Sequence, residues 1–171
     1  MNNFLNQSVL SPTHISVAAL MRNSNGEILC HFFKKDDLPH ESEGKGDLYL
    51  LMRESLHLGE SLESAVLRGL MEEYGAEGTV VDFLGTIVSH FPASDNNTVT
   101  IEKTVLYFLV DYISHDESKR EAGAVESRSK LFWLTPAELL EKNLTQAARY
   151  SRTDIDDSKI IKEYITRYGN N

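Results

Sequence analysis

Hydrophobic and polar positions follow one another along the chain in short blocks that predict strands and helices. Two apolar runs, at 15–21 and 28–33, flank the turn-forming segment 23–26, whose Asn and Gly residues tolerate positive φ. This arrangement predicts a β-hairpin. The polar segment 34–47 and the charged segment 115–130 carry no such periodicity, and we expect both to form loops.

A longer stretch with helical periodicity follows Ser61, whose hydroxyl can cap a helix, and ends before Gly75, a common helix stop. The pattern therefore predicts a helix over 62–74. Its apolar arc consists of Leu62, Val66, Leu67, Leu70, Met71 and Tyr74. The other predicted elements are strands at 48–52, 79–88, 99–112 and 131–134, and helices at 136–140 and 154–167, the last capped by Thr153 and stopped by Gly169.

Length and composition indicate one soluble domain. The chain has 171 residues, 41% of them hydrophobic and 25% charged, which predicts a single domain over 1–171. We expect its core at about 13–142 and a C-terminal helical extension at 143–171. The single cysteine excludes an internal disulfide, and no basic leader or membrane-length apolar run is visible. We therefore expect a soluble, cytoplasmic protein.

The net charge of −9 bears on the partner, because an acidic surface repels a nucleic acid polymer. No basic stripe compensates for this repulsion. A small phosphate compound remains compatible with the charge, since divalent cations can bridge carboxylates to phosphate oxygens.

Candidate chemistry lies on the 62–74 helix, where Glu73 falls inside the apolar arc. A carboxylate there is costly unless a bound cation or an arginine compensates its charge. Arg68 is placed to pair with Glu72 instead, four residues on. Glu72 and Glu73, with Glu60 before the helix, form an acidic cluster of the type that Mg²⁺ or Mn²⁺ prefers. Adjacent glutamates are also commonly just solvated, so spacing alone leaves both interpretations open. The six histidines lack zinc-site spacing and are expected on the surface or in strands.

The segment 59–75, Gly-Glu-Ser-Leu-Glu-Ser-Ala-Val-Leu-Arg-Gly-Leu-Met-Glu-Glu-Tyr-Gly, resembles the greater part of a Nudix box. This loop-helix signature is typical of enzymes that hydrolyse nucleoside diphosphates linked to another group. The positions that match the family pattern are Glu60, Arg68, Leu70, Glu72, Glu73 and Gly75. Two positions depart from it: Glu54 stands where the pattern has glycine, and Gly69 stands where it has glutamate. The resemblance spans about 15–140.

The resemblance implies an α/β fold, with a mixed, largely antiparallel sheet sandwiched between the 62–74 helix and the C-terminal helices. It also implies a pyrophosphohydrolase dependent on Mg²⁺ or Mn²⁺, acting on a small nucleotide or diphosphate compound. Neither a nucleic acid polymer nor a membrane is an expected partner, and a homodimer is left open. Catalytic roles fall to Glu72, Glu73, Arg68 and Glu126, and metal-binding roles to Glu72, Glu73, Glu60 and Glu54.

The glycine at 69 keeps three hypotheses open. The protein is a slow or rearranged hydrolase, a non-catalytic module that binds a nucleotide-like ligand or a partner protein, or an interaction domain without a ligand. The third gains support if Glu73 pairs with a protein cation. Gly69 also costs about 1 kcal/mol relative to alanine within a helix, and the sequence shows no packing reason for it. Our hypothesis is that Glu54 supplies, across the cavity, the carboxylate that the helix has lost.

Overall fold

The structure, a computed structural model, describes residues 4–8, 11–35, 46–92, 99–123, 125–150 and 154–169. Its strands are β1 (Phe4–Ser8), β2 (Ser11–Arg22), β3 (Ile28–Phe33), β4 (Leu48–Leu50), β5 (Met52–Ser55), β6 (Ala76–Pro92), β7 (Thr100–His115) and β8 (Lys130–Leu134). Its α-helices are α1 (Leu62–Gly69), α2 (Pro136–Tyr150) and α3 (Ser158–Tyr168). A π-helical turn, Leu70–Tyr74, continues α1, and two 3-10 turns, Glu117–Lys119 and Val125–Arg128, precede β8.

Within the described ranges the strands form one eight-stranded mixed sheet, organised around β2. β2 runs parallel to β7 and antiparallel to β1, β3 and β5. The pairs β6–β7, β3–β4 and β3–β8 are antiparallel as well. The sheet is therefore largely antiparallel, as predicted.

Both faces of the sheet are covered, which explains the uninterrupted apolar run in β2. Val17, Ala19 and Met21 pack in the cluster on the α1 face, whereas Ala18 and Leu20 pack in the cluster beneath α2 and α3. A strand buried on both faces cannot alternate between apolar and polar side chains. The predicted α/β/α sandwich is confirmed.

The hairpin predicted from its turn residues is also present. Gly26 takes a φ of 77°, and its N–H donates to the carbonyl oxygen of Asn23 at 3.0 Å. The predicted 48–52 strand is instead two short strands, β4 and β5, which pair with β3 and β2 respectively. β6 and β7 extend beyond their predicted ends, because they pair with each other along nearly their full length.

The C-terminal helices differ most from prediction. α2 continues ten residues past its predicted end at 140. The polar side chains that it buries there can lie in the core because they are hydrogen-bonded. Gln146 accepts from the Tyr49 N–H at 2.8 Å and donates to the Tyr49 carbonyl oxygen at 2.7 Å. α3 begins at Ser158 rather than 154, and the predicted cap, Thr153, lies outside the described residues. None of the helices in the described ranges is long and apolar enough to cross a membrane.

Candidate functional site

The helix predicted over 62–74 is present, but it changes character midway. Ser61 caps it as predicted, accepting from a first-turn backbone N–H at 3.1 Å, and Gly75 ends it at a φ of 64°. The last turn is π-helical, a wider turn that is frequent at functional sites. Leu62 and Leu67, two residues of the predicted apolar arc, are each 37% exposed, so only part of that arc is buried. The buried side of α1 is narrower than the predicted apolar arc, because only one side of the helix faces the sheet.

Arg68 connects α1 to the segment that precedes it. Its Nε and one terminal nitrogen each bond a Glu60 carboxylate oxygen at 2.9 Å, and this contact lowers the pKa of Glu60 to about 2. Arg68 also donates to the Ser55 carbonyl oxygen at 2.8 Å and to Glu72 at 3.1 Å, which confirms the predicted Arg68–Glu72 pair. Glu54 lies 3.3 Å away. These contacts tie α1 to the segment that precedes it.

Glu73 is buried, with 7% of its surface exposed, and its partner is a histidine. Its Oε2 lies 2.7 Å from Nε2 of His31, and Nδ1 of His31 lies 2.7 Å from Oγ of Ser129. Burial lowers the pKa of His31 to about 3, so its ring is neutral at physiological pH. Burial, reinforced by the charges of Glu126 and Glu54, raises the pKa of Glu73 well above 4.5. The contact is therefore a hydrogen bond, and in the part of the chain that the structure describes no lysine or arginine forms a salt bridge with Glu73.

Carboxylates from three separate segments meet at one cavity of about 260 Å³. Its lining consists of Arg53, Glu54, Ser55, Glu72, Glu73, Glu121 and Glu126. Four predicted site residues are among them, whereas Glu60 and Arg68 are not; Glu60 is bonded to Arg68 instead. A larger cavity of about 430 Å³ lies beside the β2–β3 turn, where Asp111 is the single carboxylate in the lining, so the smaller one is the better candidate site.

Glu121 lines the cavity without having been predicted from the sequence, and Arg120 fixes the loop that carries it. Arg120 donates from Nε to the Glu73 carbonyl oxygen at 2.7 Å, and a terminal nitrogen bonds the Glu126 carbonyl oxygen. The Glu121 N–H donates to the Glu72 carbonyl oxygen at 2.8 Å. The loop is thereby attached to the π-helical turn, which places Glu121 and Glu126 at the cavity. No motif marks these contacts in the sequence.

The packing reason for Gly69 is a close approach between α1 and β5. A Cβ at position 69 would lie 2.7 Å from Cβ of Glu54 and 2.7 Å from Sδ of Met52. Real Cβ atoms essentially never approach so closely. The side chain of Glu54 therefore occupies the space that a helix side chain would need.

The donor chemistry at the cavity suits a hard cation, because carboxylate oxygens are the ligands of Mg²⁺ and Mn²⁺. As the side chains stand, no three His, Cys, Asp or Glu side chains in the described residues are arranged to hold a metal ion. Glu54 and Glu72 face Arg68, and Glu73 bonds His31. Mg²⁺ commonly uses only one or two protein carboxylates, with water and substrate phosphates completing its shell. The residues fit the cation on those terms.

Comparison with known proteins identifies the family. The chain matches the NUDIX domain family over residues 12–154 and belongs to that family. A NUDIX hydrolase from Nitrosomonas europaea has a similar structure, with a TM-score of 0.61, 18% identity, and coverage of 91% of this chain and 90% of that one. The E. coli ORF135 protein is similar with a TM-score of 0.54, 18% identity and 92% coverage of both chains. No curated protein sequence matches the chain. The family model and the shared fold define a Nudix domain.

Proposed function

We propose that the protein is a pyrophosphohydrolase that uses Mg²⁺ or Mn²⁺ to cleave a nucleoside diphosphate linked to another group. The observation that carries this proposal is the cavity at which Glu54, Glu72, Glu73 and Glu126 meet at the end of α1. A diphosphate site in an acidic protein needs a cation, because the carboxylates and the phosphate groups are both negatively charged. The cavity supplies the oxygen donors for that cation.

Each residue has a distinct role in this proposal. Glu72 and Glu73 would hold the cation, which when bound neutralises charge on the diphosphate. Glu126 would accept the proton that the attacking water loses as its oxygen bonds phosphorus and the bridging P–O bond breaks. Arg68 keeps the loop before α1 in place and leaves the chemistry to the carboxylates.

The proposal also covers the substrate class and the cellular compartment of this reaction. The substrate is a small nucleotide or diphosphate compound rather than a nucleic acid polymer, consistent with the net charge of −9. We place the activity in the cytoplasm, with one buried free thiol, Cys30, supporting a reducing compartment. Neither a monomer nor a homodimer is favoured by the contacts of the site.

A second candidate is a non-catalytic domain that binds a nucleotide-like ligand. Two observations favour it: Gly69 carries no carboxylate, and Glu54 and Glu72 both engage Arg68. A ligand's phosphates would then have to draw those carboxylates and a cation together without cleavage following.

Hydrolysis of a panel of nucleoside diphosphate compounds with Mg²⁺ or Mn²⁺ separates the two candidates. We expect phosphate-containing products with the native protein, and loss of turnover in Glu73→Gln, which keeps the side-chain shape. Glu63→Gln, an exposed change in the first turn of α1, is the matched control and should retain activity. Ligand-induced thermal stabilisation without products would refute the hydrolase and support the binding module.

A further inference from the structure

The two departures from the family pattern are reciprocal and adjacent in space. Position 54 has a glutamate where the pattern has glycine, and position 69 has a glycine where it has glutamate. Position 54 lies on β5 and position 69 is the last residue of α1. The 2.7 Å from Cβ of Glu54 to a Cβ at position 69 allows a side chain at only one of them.

The contact with Glu54 is the decisive one. Met52 also lies 2.7 Å from a Cβ at position 69, but through Sδ, near the end of a flexible side chain that can move aside. The Cβ of Glu54 is attached directly to the backbone of β5, and Glu54 pairs with Val17 of β2. Removing the overlap with this Cβ would require β5 itself to shift.

We infer that Glu54 replaces the missing helix glutamate as a ligand of the catalytic cation, so that the carboxylate has changed places between α1 and β5. This inference rests on the proposed function. Glu54 lines the same cavity as Glu72 and Glu73, and one fifth of its side chain is exposed. Its Oε1 accepts from the Ser55 N–H at 2.6 Å and lies 3.3 Å from Arg68. Both contacts are made by Oε1, so Oε2 is the oxygen that would bind the cation.

Manganese binding, measured by titration with paramagnetic resonance and without substrate, tests the ligand role. We expect Glu54→Gln to weaken Mn²⁺ binding by about tenfold or more, the range reached even by partners outside the ligand shell. Glu63→Gln, which lies outside the cavity, should bind as the native protein does. The melting temperature of Glu54→Gln should stay close to native, because glutamine preserves the packing against Gly69.

The exchange itself is tested by restoring the family arrangement. Gly69→Glu alone should lower the melting temperature by about 2 °C or more, because its Cβ overlaps Glu54. Combining Gly69→Glu with Glu54→Gly should recover both the melting temperature and Mn²⁺ binding. A double variant that stays as unstable as the single one, or that binds Mn²⁺ no better than Glu54→Gln, overturns the exchange.

The outcomes also distinguish this inference from the proposed function. If Glu73→Gln abolishes Mn²⁺ binding while Glu54→Gln leaves it unchanged, Glu54 is only a partner of Arg68 and the inference fails, with the proposed function intact. If the native protein does not bind Mn²⁺ at all, the proposed metal dependence fails and the ligand role of Glu54 fails with it.

Discussion

Replacing Glu73 with glutamine is expected to stabilise the cation-free protein at neutral pH, although it removes a proposed functional group. Glu73 is 7% exposed, and the neighbouring carboxylates Glu54 and Glu126 repel its charge. Glutamine has nearly the same shape and can keep the hydrogen bond to His31 in either direction. The variant therefore avoids the cost of burying or protonating this carboxylate and leaves no group unpaired.

The effect must depend on pH in a defined direction. Below about pH 4.5, the ordinary value for glutamate, Glu73 is protonated in both the folded and the unfolded chain. Above it the unfolded chain releases the proton first, so the free energy of unfolding falls until the raised folded pKa is reached. Each pKa unit of that rise corresponds to about 1.4 kcal/mol, or about 3–6 °C in melting temperature for a chain of this length. The advantage of the variant should therefore grow as pH rises above 4.5.

Thermal denaturation in EDTA, from about pH 4 to about pH 8, measures this difference. His31 stays neutral over that range because its pKa is about 3. Glu72→Gln is the control, since Glu72 is more exposed and paired with Arg68, and no gain is expected. Added Mn²⁺ should reverse the order by stabilising the native protein, by about 2.7 kcal/mol at a hundredfold excess over Kd. A variant that melts below native near pH 7, or a gap independent of pH, refutes the reasoning.

Two further predictions concern the contacts that hold the site in place. Asp157→Ala should lower the free energy of unfolding by about 3–5 kcal/mol in urea denaturation, because it removes the buried carboxylate paired with Arg53, whose side chain is only 13% exposed. A double Arg53→Met, Asp157→Leu variant should lose much less, and an equal loss would contradict this. Arg120→Met should speed amide hydrogen exchange in the loop that carries Glu126, because the backbone carbonyls of Glu73, Glu126 and Ser129 lose a hydrogen-bond donor. Unchanged exchange there would show that other contacts hold the loop.

Local signals account for what could be predicted about α1. The Ser61 cap and the Gly75 stop act within one helical turn, so their residue types alone place the two ends. The hairpin turn at Gly26 is local in the same sense. The Nudix pattern predicted the sandwich and the acidic cluster, and the structure brings Glu72 and Glu73 to one cavity. Their roles at that cavity stay predictions.

Contacts between distant segments could not be predicted in the same way. Gln146 reads as a solvated polar residue, yet it is buried because Tyr49, almost a hundred positions earlier, offers both backbone groups. His31 reads as one of several scattered histidines, but folding places it against Glu73, on the helix, and Ser129. Hydrophobic periodicity reports which side of an element is apolar, whereas these partners depend on how elements pack together.

The sequence by itself determined the family, the layered fold, the ends of the helix before β6 and the pair of glutamates it carries. It also showed a glycine where a carboxylate was expected, with no reason for it. Only the tertiary structure shows that reason, because a Cβ at position 69 lies 2.7 Å from Cβ of Glu54 only once β5 packs on α1. Side chains at 54 and 69 exclude one another in space, and this exclusion cannot be predicted from either position alone.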